Sequence, residues 1–302
     1  MLMKRLAAFV TALIGLSFSA LAQGVGQPVE KGVTLQAPVN ELARNLNDFH
    51  DMLLWIIVAI TIFVFILLAV VVLKFNSKAN PKPSTTTHNT VLEVIWTAVP
   101  VLILIVIAVP SVRLLYFQDQ IPETEFAVRI TGNQWNWTYA YPDHGGIEFT
   151  SVIVPDDAFK SGSMPLNAQV RADAEQELSD HMGYPIKMGE KTRNLETNTR
   201  LVVPVNTKVR IELTASDVIH AWTIPSFGVK LDAVPGRLND TWFEVDQIGT
   251  YYGQCSELCG KDHAFMPIAV EVVSKEAFAK WVEHAKGLYA AAPVKPTTAL
   301  GR

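Results

Sequence analysis

Between Gly253 and Pro267 the chain reads Gly-Gln-Cys-Ser-Glu-Leu-Cys-Gly-Lys-Asp-His-Ala-Phe-Met-Pro, which puts Cys255, Cys259, His263 and Met266 within twelve positions. Four soft or borderline donors on one loop point to a metal. Methionine is a poor ligand for zinc or magnesium but a normal weak axial ligand for copper, and thiolate with imidazole suits copper in a trigonal field. A single blue-copper site uses one cysteine; two thiolates in one loop can instead bridge two coppers, each then needing one imidazole and one weak axial donor. His263 supplies one imidazole. His220, in Asp217-Val218-Ile219-His220-Ala221-Trp222 at the start of a strand, is the candidate for the other. The competing reading is a small Cys255–Cys259 disulfide, which persists outside the cytoplasm but leaves the histidine and methionine without a purpose. These are the only two cysteines. That excludes a disulfide-rich scaffold or a four-cysteine zinc site, and the absence of Cys-x-x-Cys-His excludes an attached c-type haem.

The elements that must position these donors are short and β-rich. After Arg113 the pattern predicts strands over Phe126–Tyr141, Ile147–Val154, Leu201–Leu213, Ala221–Val229, Thr241–Val245 and Ile268–Val273. Turn chemistry such as Pro142-Asp143-His144-Gly145-Gly146 and Pro235-Gly236 separates them, which reads as an all-β sandwich or barrel. A charged, turn-rich insertion, 156–198, interrupts the series and reads as a solvated excursion. Phe278, Trp281, Val282 and Ala285 fall at near-helical spacing, so a short amphipathic helix closes the domain. The Ala/Pro/Thr-rich tail, 290–302, reads as loose.

Ahead of this outer domain, 116–289, lie three apolar stretches. The first, 1–22, begins with Lys4 and Arg5 and ends in Ala20-Leu21-Ala22, the layout of a secretory signal cleaved after Ala22. Met52–Leu73 is free of charge for 22 residues, about 33 Å of helix at ~1.5 Å per residue and enough to span a hydrocarbon core. A second span covers Val94–Val112, with Trp96 and Tyr116 at its ends and Pro100 and Pro110 expected to kink or bound it. Within 23–115 these two spans form a hairpin. Lys74, Lys78 and Lys82 place the loop between them in the cytoplasm, so the outer domain faces outside.

Composition agrees with this layout. The 302 residues are 49% hydrophobic and 18% charged, against roughly 25% charged in an ordinary soluble domain. Residues 1–115 carry 8 Lys and Arg against 5 Asp and Glu, and 116–302 carry 17 against 24. The acidic outer domain excludes nucleic acid as a partner and favours a basic protein. Asp217, three residues before His220, is expected near the metal, where it steers such a partner. Glu93 is the only acid between the spans and precedes the second uncharged run.

In these residues the sequence resembles subunit II of a bacterial haem-copper cytochrome c oxidase over roughly Gln23–Lys286. The Cys-Ser-Glu-Leu-Cys-Gly-x-x-His-x-x-Met run is similar to the family's signature for the dinuclear copper centre CuA. The resemblance implies a cupredoxin-like Greek-key outer domain after the two-helix transmembrane hairpin. It implies that Cys255 and Cys259 bridge two copper ions, that one copper adds His220 and Met266, and that the other adds His263 and the carbonyl of Glu257, whose side chain reaches a magnesium ion shared with subunit I. Gly132-Asn133-Gln134-Trp135-Asn136-Trp137 resembles the aromatic region through which cytochrome c delivers its electron, and the resemblance makes Trp135 the electron-entry residue. Trp135 and Trp137, two apart, would share a strand face. Relatives commonly carry an aromatic where Asn136 stands and an acid where Ala140 stands. Val234-Pro235-Gly236-Arg237-Leu238-Asn239 resembles the segment facing the haem-bearing subunit, and Leu92-Glu93-Val94-Ile95-Trp96 the segment whose glutamate marks the cytoplasmic mouth of a proton path. The implied function is electron transfer from cytochrome c through CuA to subunit I, where oxygen is reduced, within a multisubunit complex of the bacterial inner membrane with the copper domain in the periplasm. The alternatives are a membrane-tethered copper-storage or delivery protein and a quinol-oxidase scaffold subunit; the latter lacks copper ligands. A nitrous oxide reductase carries a similar motif but no two-helix hairpin.

Overall fold

Asn40 opens the first helix, its side chain accepting the amide of Ala43 at 2.7 Å, in a computed structural model that describes residues 26–160, 165–190 and 192–290. The expected signal segment, 1–22, and residues 291–302 of the tail lie outside those. Helix α1 runs over Glu41–Lys74 and α2 over Thr90–Asp119. Each contains one of the expected spans and extends it at both ends. An acid in the first turn of α1 and a lysine in its last complement the helix dipole, and Asn89 caps α2 by accepting the amide of Leu92. Pro100 and Pro110 both lie inside α2, which continues through them. Both helices are long and apolar enough to cross a membrane.

Among the described residues the outer domain has ten strands. β1 (Phe126–Asn133), β2 (Asn136–Tyr141), β3 (Ile147–Ser151), β5 (Val209–Ala215) and β8 (Asn239–Phe243) form one sheet in the order β3-β2-β1-β5-β8. β4 (Leu201–Pro204), β9 (Gly249–Gln254) and β10 (Pro267–Val273) form a second, β4-β10-β9, and β6 (His220–Ile224) pairs with β7 (Val229–Ala233). β1 runs parallel to β5 and β4 parallel to β10, with Phe126 opposite Val209 and Leu201 opposite Val270; the other pairings are antiparallel. These non-consecutive neighbours make the Greek-key sandwich expected. In β2 and β5 burial alternates residue by residue, so one face of the large sheet meets the core while β10 is buried on both faces. Trp137, Tyr139, Tyr141, Trp222, Phe243 and Tyr251 fill that core. Tyr141 joins the sheets, its hydroxyl donating to the carbonyl of Val202 and accepting the Val202 amide, both at 2.9 Å.

Several predicted strands divide in two. Phe126–Tyr141 is a hairpin that turns at Gln134–Trp135, so Trp135 does not share a strand face with Trp137. Leu201–Leu213 breaks where Asn206 takes a left-handed conformation, and Ala221–Val229 breaks at a single helical turn, Pro225–Phe227. β9 carries no clear alternation, having Gly249 and Gly253 around two tyrosines, and sequence reasoning passed over it.

The 156–198 insertion contains a 15-residue helix, α3 (Ala168–Met182), capped by Asn167. Its buried face, Ala174, Glu175, Leu178, His181 and Met182, packs toward α4 (Lys275–Tyr289), the expected closing helix, which buries Phe278, Trp281, Val282 and Ala285. Burial pushes the His181 imidazole down to about 4 although the Arg200 carbonyl favours the protonated ring; one ring nitrogen pairs with that carbonyl at 2.8 Å and the other with the Tyr289 hydroxyl at 3.0 Å. In the unfolded chain histidine titrates near 6.5, so between about 6.5 and about 4 the unfolded state holds a proton the folded state does not. Stability attributable to neutral His181 is therefore complete above the upper value and falls by roughly 3 kcal/mol as pH drops through the lower. Urea titrations at pH 7 and 4.5 should show a smaller acid-induced loss in His181→Gln than in wild type; an equal loss would assign the acid sensitivity to carboxylates.

Candidate metal centre

The loop from Cys255 to Met266 joins β9 to β10, and its ends are pinned because Gln254 and Pro267 stand opposite each other in the ladder. The Ser256 amide donates to the carbonyl of Ala221 at 3.0 Å, which ties the loop to β6, whose first residue is His220. Local turns, with the amide of His263 on the Gly260 carbonyl and that of Phe265 on the Asp262 carbonyl, fold the loop back so that His263 and Met266 return to the cysteines.

Both thiols are free and buried, with their sulfurs 3.8 Å apart. Cys255 Sγ lies 3.9 Å from His220 Nδ1 and 3.3 Å from the carbonyl oxygen of Glu257. Cys259 Sγ lies 3.5 Å from His263 Nδ1 and 3.5 Å from Met266 Sδ. Among the described residues, His220, Cys255 and Cys259 place their donor atoms within 4.8 Å of one another. Each sulfur thus has its own imidazole. A metal–thiolate bond is about 2.3 Å, so one ion can touch two sulfurs up to ~4.6 Å apart, and the observed separation meets that limit. Two thiolates, two imidazoles, a thioether and a carbonyl form a soft donor set that fits copper.

The thiols titrate as a pair. Burial opposes ionisation of Cys255, but the His220 ring and the groups around the Glu257 and Ala221 backbone bring its thiol down to about 6. Burial and then the charge on Cys255 push Cys259 up to about 12.

His220 is held from behind. Its Nε2 meets Asp217 Oδ1 at 2.9 Å, leaving Nδ1 turned to the sulfur, and such a carboxylate fixes ring orientation and raises ligand basicity. Partial burial alone would raise the Asp217 carboxyl, yet His220 and the amides of Val218 and Gln134 hold it below the usual carboxylate range. Gly132 makes room: a Cβ there would meet His220 Cδ2 at 2.9 Å. Trp137, buried in β2, donates its indole N–H to the Met266 carbonyl at 3.1 Å and sets its ring edge toward the His220 imidazole, with centroids 5.9 Å apart. Sequence reasoning missed this role for Trp137; its place in an alternating strand was the available signal.

Trp135, half-buried in the β1–β2 turn, reaches the same loop. Its indole Nε1 donates to the carbonyl of Cys259 at 3.3 Å, and the Lys261 ammonium lies 5.6 Å from its ring centroid. The Glu257 side chain is exposed while its carbonyl faces Cys255. The structure therefore gathers His220, Cys255, Cys259, His263, Met266 and the Glu257 carbonyl into one cluster, with Asp217 and Trp135 against it. Glu93 lies in the first turn of α2.

Comparison with known proteins yields two family matches: cytochrome c oxidase subunit II, periplasmic domain, over residues 126–176 and 181–273, and cytochrome c oxidase subunit II, transmembrane domain, over 28–114. The chain is 43% identical to a probable cytochrome c oxidase subunit 2 of Rickettsia bellii, covering 90% of this chain and 91% of that protein. It is also 43% identical to cytochrome c oxidase subunit 2 of Cereibacter sphaeroides, covering 92% and 88%. Among solved structures, the periplasmic domain of subunit II of cytochrome oxidase from Bradyrhizobium japonicum matches at 43% identity and a TM-score of 0.44, over 57% of this chain and all of that one.

Proposed function

The chain belongs to the cytochrome c oxidase subunit II family, and on that premise we propose that its outer domain accepts electrons from cytochrome c at a CuA centre and passes them to haem in subunit I for reduction of oxygen to water. The observation that carries this reading is the pair of free, buried thiols 3.8 Å apart with one imidazole beside each.

Cys255, Cys259, His220, His263, Met266 and the Glu257 carbonyl would together hold a copper pair, the two thiols and two imidazoles as its main donors. When bound, the copper pair supplies a one-electron acceptor whose charge is spread over two metals and two sulfurs. The rest of the work falls to the protein. Asp217 holds the His220 ring, Trp137 holds Met266 and the edge of that ring, and the β9–β10 ladder fixes both ends of the loop, so the donors change position little when the charge changes. His220, Cys259 and Met266 are 0%, 3% and 1% exposed; donors so enclosed suit a resident metal, whereas a copper-delivery protein needs exchangeable ones. The Glu257 carboxylate, exposed in the chain alone, would reach the magnesium ion shared with subunit I.

The docking face lies over the loop. Leu258 and Ile219 are 79% and 45% exposed beside the cluster, and the ionised Asp217 adds negative charge there. An apolar patch beside an acid suits a basic partner with an exposed haem edge, with the charge steering the encounter. The α1–α2 hairpin anchors the domain in the bacterial inner membrane, with the copper domain on the periplasmic side. Electron paramagnetic resonance of the copper-loaded protein tests the function: one unpaired electron shared by two coppers supports it, and a mononuclear signal ends it.

Glu93 belongs to a different step. It stands at the cytoplasmic end of α2, on the helix face that carries Thr90, Val94, Thr97 and Val101. We assign it to the mouth of a proton path into subunit I, collecting protons from bulk water. Glu93→Ala in the assembled oxidase should then lower steady-state turnover while the copper spectrum and cytochrome c binding stay as in wild type. Equal turnover across pH at matched subunit content would make Glu93 an ordinary interfacial acid.

A further inference from the structure

Three hydrogen bonds fasten the turn that carries Trp135 to the copper ligands and to Asp217 behind His220, and the two shorter ones run through Gln134. Its backbone amide donates to Asp217 Oδ2 at 2.7 Å, while Asp217 Oδ1 takes the amide of Val218 at 2.7 Å and faces His220 Nε2 at 2.9 Å. Its side-chain amide donates to the carbonyl of Cys259 at 2.8 Å, the same oxygen that receives the Trp135 indole at 3.3 Å. One residue therefore links the turn to a ligand on β6 through a carboxylate and to a ligand on the β9–β10 loop directly.

We propose that Gln134 is a positioning residue for electron uptake, holding the Trp135 indole against the Cys259 backbone so that the turn and the copper ligands move as one body.

Three features support this beyond the hydrogen bonds themselves. A carbonyl oxygen has two lone pairs and can accept both donors at once. The 2.8 Å amide bond is of ordinary strength while the 3.3 Å indole bond lies past the usual range, so the Gln134 amide is the firmer hold and the indole depends on it. Gly260, next to Cys259, adopts φ +125, and a Cβ there would meet Trp135 Cζ2 at 2.9 Å and Gln134 Nε2 at 3.2 Å. The turn thus packs directly on bare backbone. Without the Gln134 side chain the indole keeps one long hydrogen bond and the Lys261 ammonium over its ring. The electron given up by reduced cytochrome c is the one gained by the copper centre; no bond or proton changes at Gln134, whose part is geometric.

This inference rests on the reading of Trp135 as the electron-entry residue, and a double-mutant cycle in the assembled oxidase separates the two. Flash-induced electron uptake from cytochrome c is measured in wild type, Gln134→Ala, Trp135→Phe and the double variant, at matched copper content. Gln134→Ala should slow uptake on the order of tenfold with the cytochrome c dissociation constant unchanged. In the Trp135→Phe background the same change should cost less than about twofold, because residues acting through one another are not additive. In the copper-free protein, the fluorescence component that Trp135→Phe removes should shift to the red in Gln134→Ala. Gln134→Glu keeps the length and loses the donor, so it should match Gln134→Ala; wild-type uptake in Gln134→Glu would overturn the proposal even if the alanine variant failed to hold copper. Full additivity, or a slow Trp135→Phe beside a wild-type Gln134→Ala, would also overturn it. Wild-type rates in Trp135→Phe would instead remove the role of Trp135.

Discussion

Replacing Cys255 with serine should abolish the two-copper resonance signature and leave oxidase turnover at background. The Cys255 sulfur faces the Cys259 sulfur, the His220 ring and the Glu257 carbonyl, at 3.8, 3.9 and 3.3 Å, so it is the atom common to most of the cluster. A serine hydroxyl is a hard, weakly acidic donor with a shorter reach, and copper favours soft sulfur. With one thiolate left, the remaining donors would suffice for one copper in a trigonal field but not for a pair. The loss should exceed the roughly 10–100-fold that removing an outer-shell partner costs in metal affinity. Metal analysis gives the check: two coppers with unchanged spectra in Cys255→Ser would refute the ligand assignment.

Trp135→Ala should slow electron uptake from cytochrome c while leaving the binding constant nearly unchanged. The indole donates to the Cys259 carbonyl at 3.3 Å, so the ring on the exposed turn is joined by one hydrogen bond to the backbone of a proposed copper ligand. Alanine removes both the ring and the bond. A misplacement of about 1 Å can cost on the order of 10²-fold where geometry controls the rate, and deletion of the ring should cost at least as much. Docking draws instead on the acidic surface and on Leu258 and Ile219, which remain. Stopped-flow mixing with reduced cytochrome c at several concentrations separates the two terms; a parallel fall in affinity and rate would assign Trp135 to packing or docking.

The donor cluster was legible because its residues are uncommon and close in sequence, so their types alone suggest copper. His220, 35 residues before Cys255, was reachable only because a strand beginning there puts its side chain at a sheet end. The spans were legible from their lack of charge, and the closing helix from four apolar positions at helical spacing. The helix in 156–198 was not. α3 buries a charged residue, Glu175, which pairs with Arg171 and Lys187 at 3.1 and 2.6 Å, so its buried face does not read as apolar. The break at Gln134–Trp135 was hidden for a related reason. Both flanking strands alternate, and nothing in Asn133-Gln134-Trp135-Asn136 carries the glycine that announces a hairpin. The partners of Asp217 lie on other elements, so its hold on His220 could be placed only by the fold.

The two parallel pairings set an order of events in the life of the chain. β1 must find β5, and β4 must find β10, across long intervening segments, and closing such loops is slow because entropy is lost before contacts form. Until then His220 is distant from the loop, while Cys255 and Cys259, four residues apart, already share a flexible segment. In an oxidising compartment such neighbours can join each other before any metal arrives. Both thiols are free in the folded domain, so a disulfide closed earlier would have to be reduced before the proposed copper pair could be held by both sulfurs.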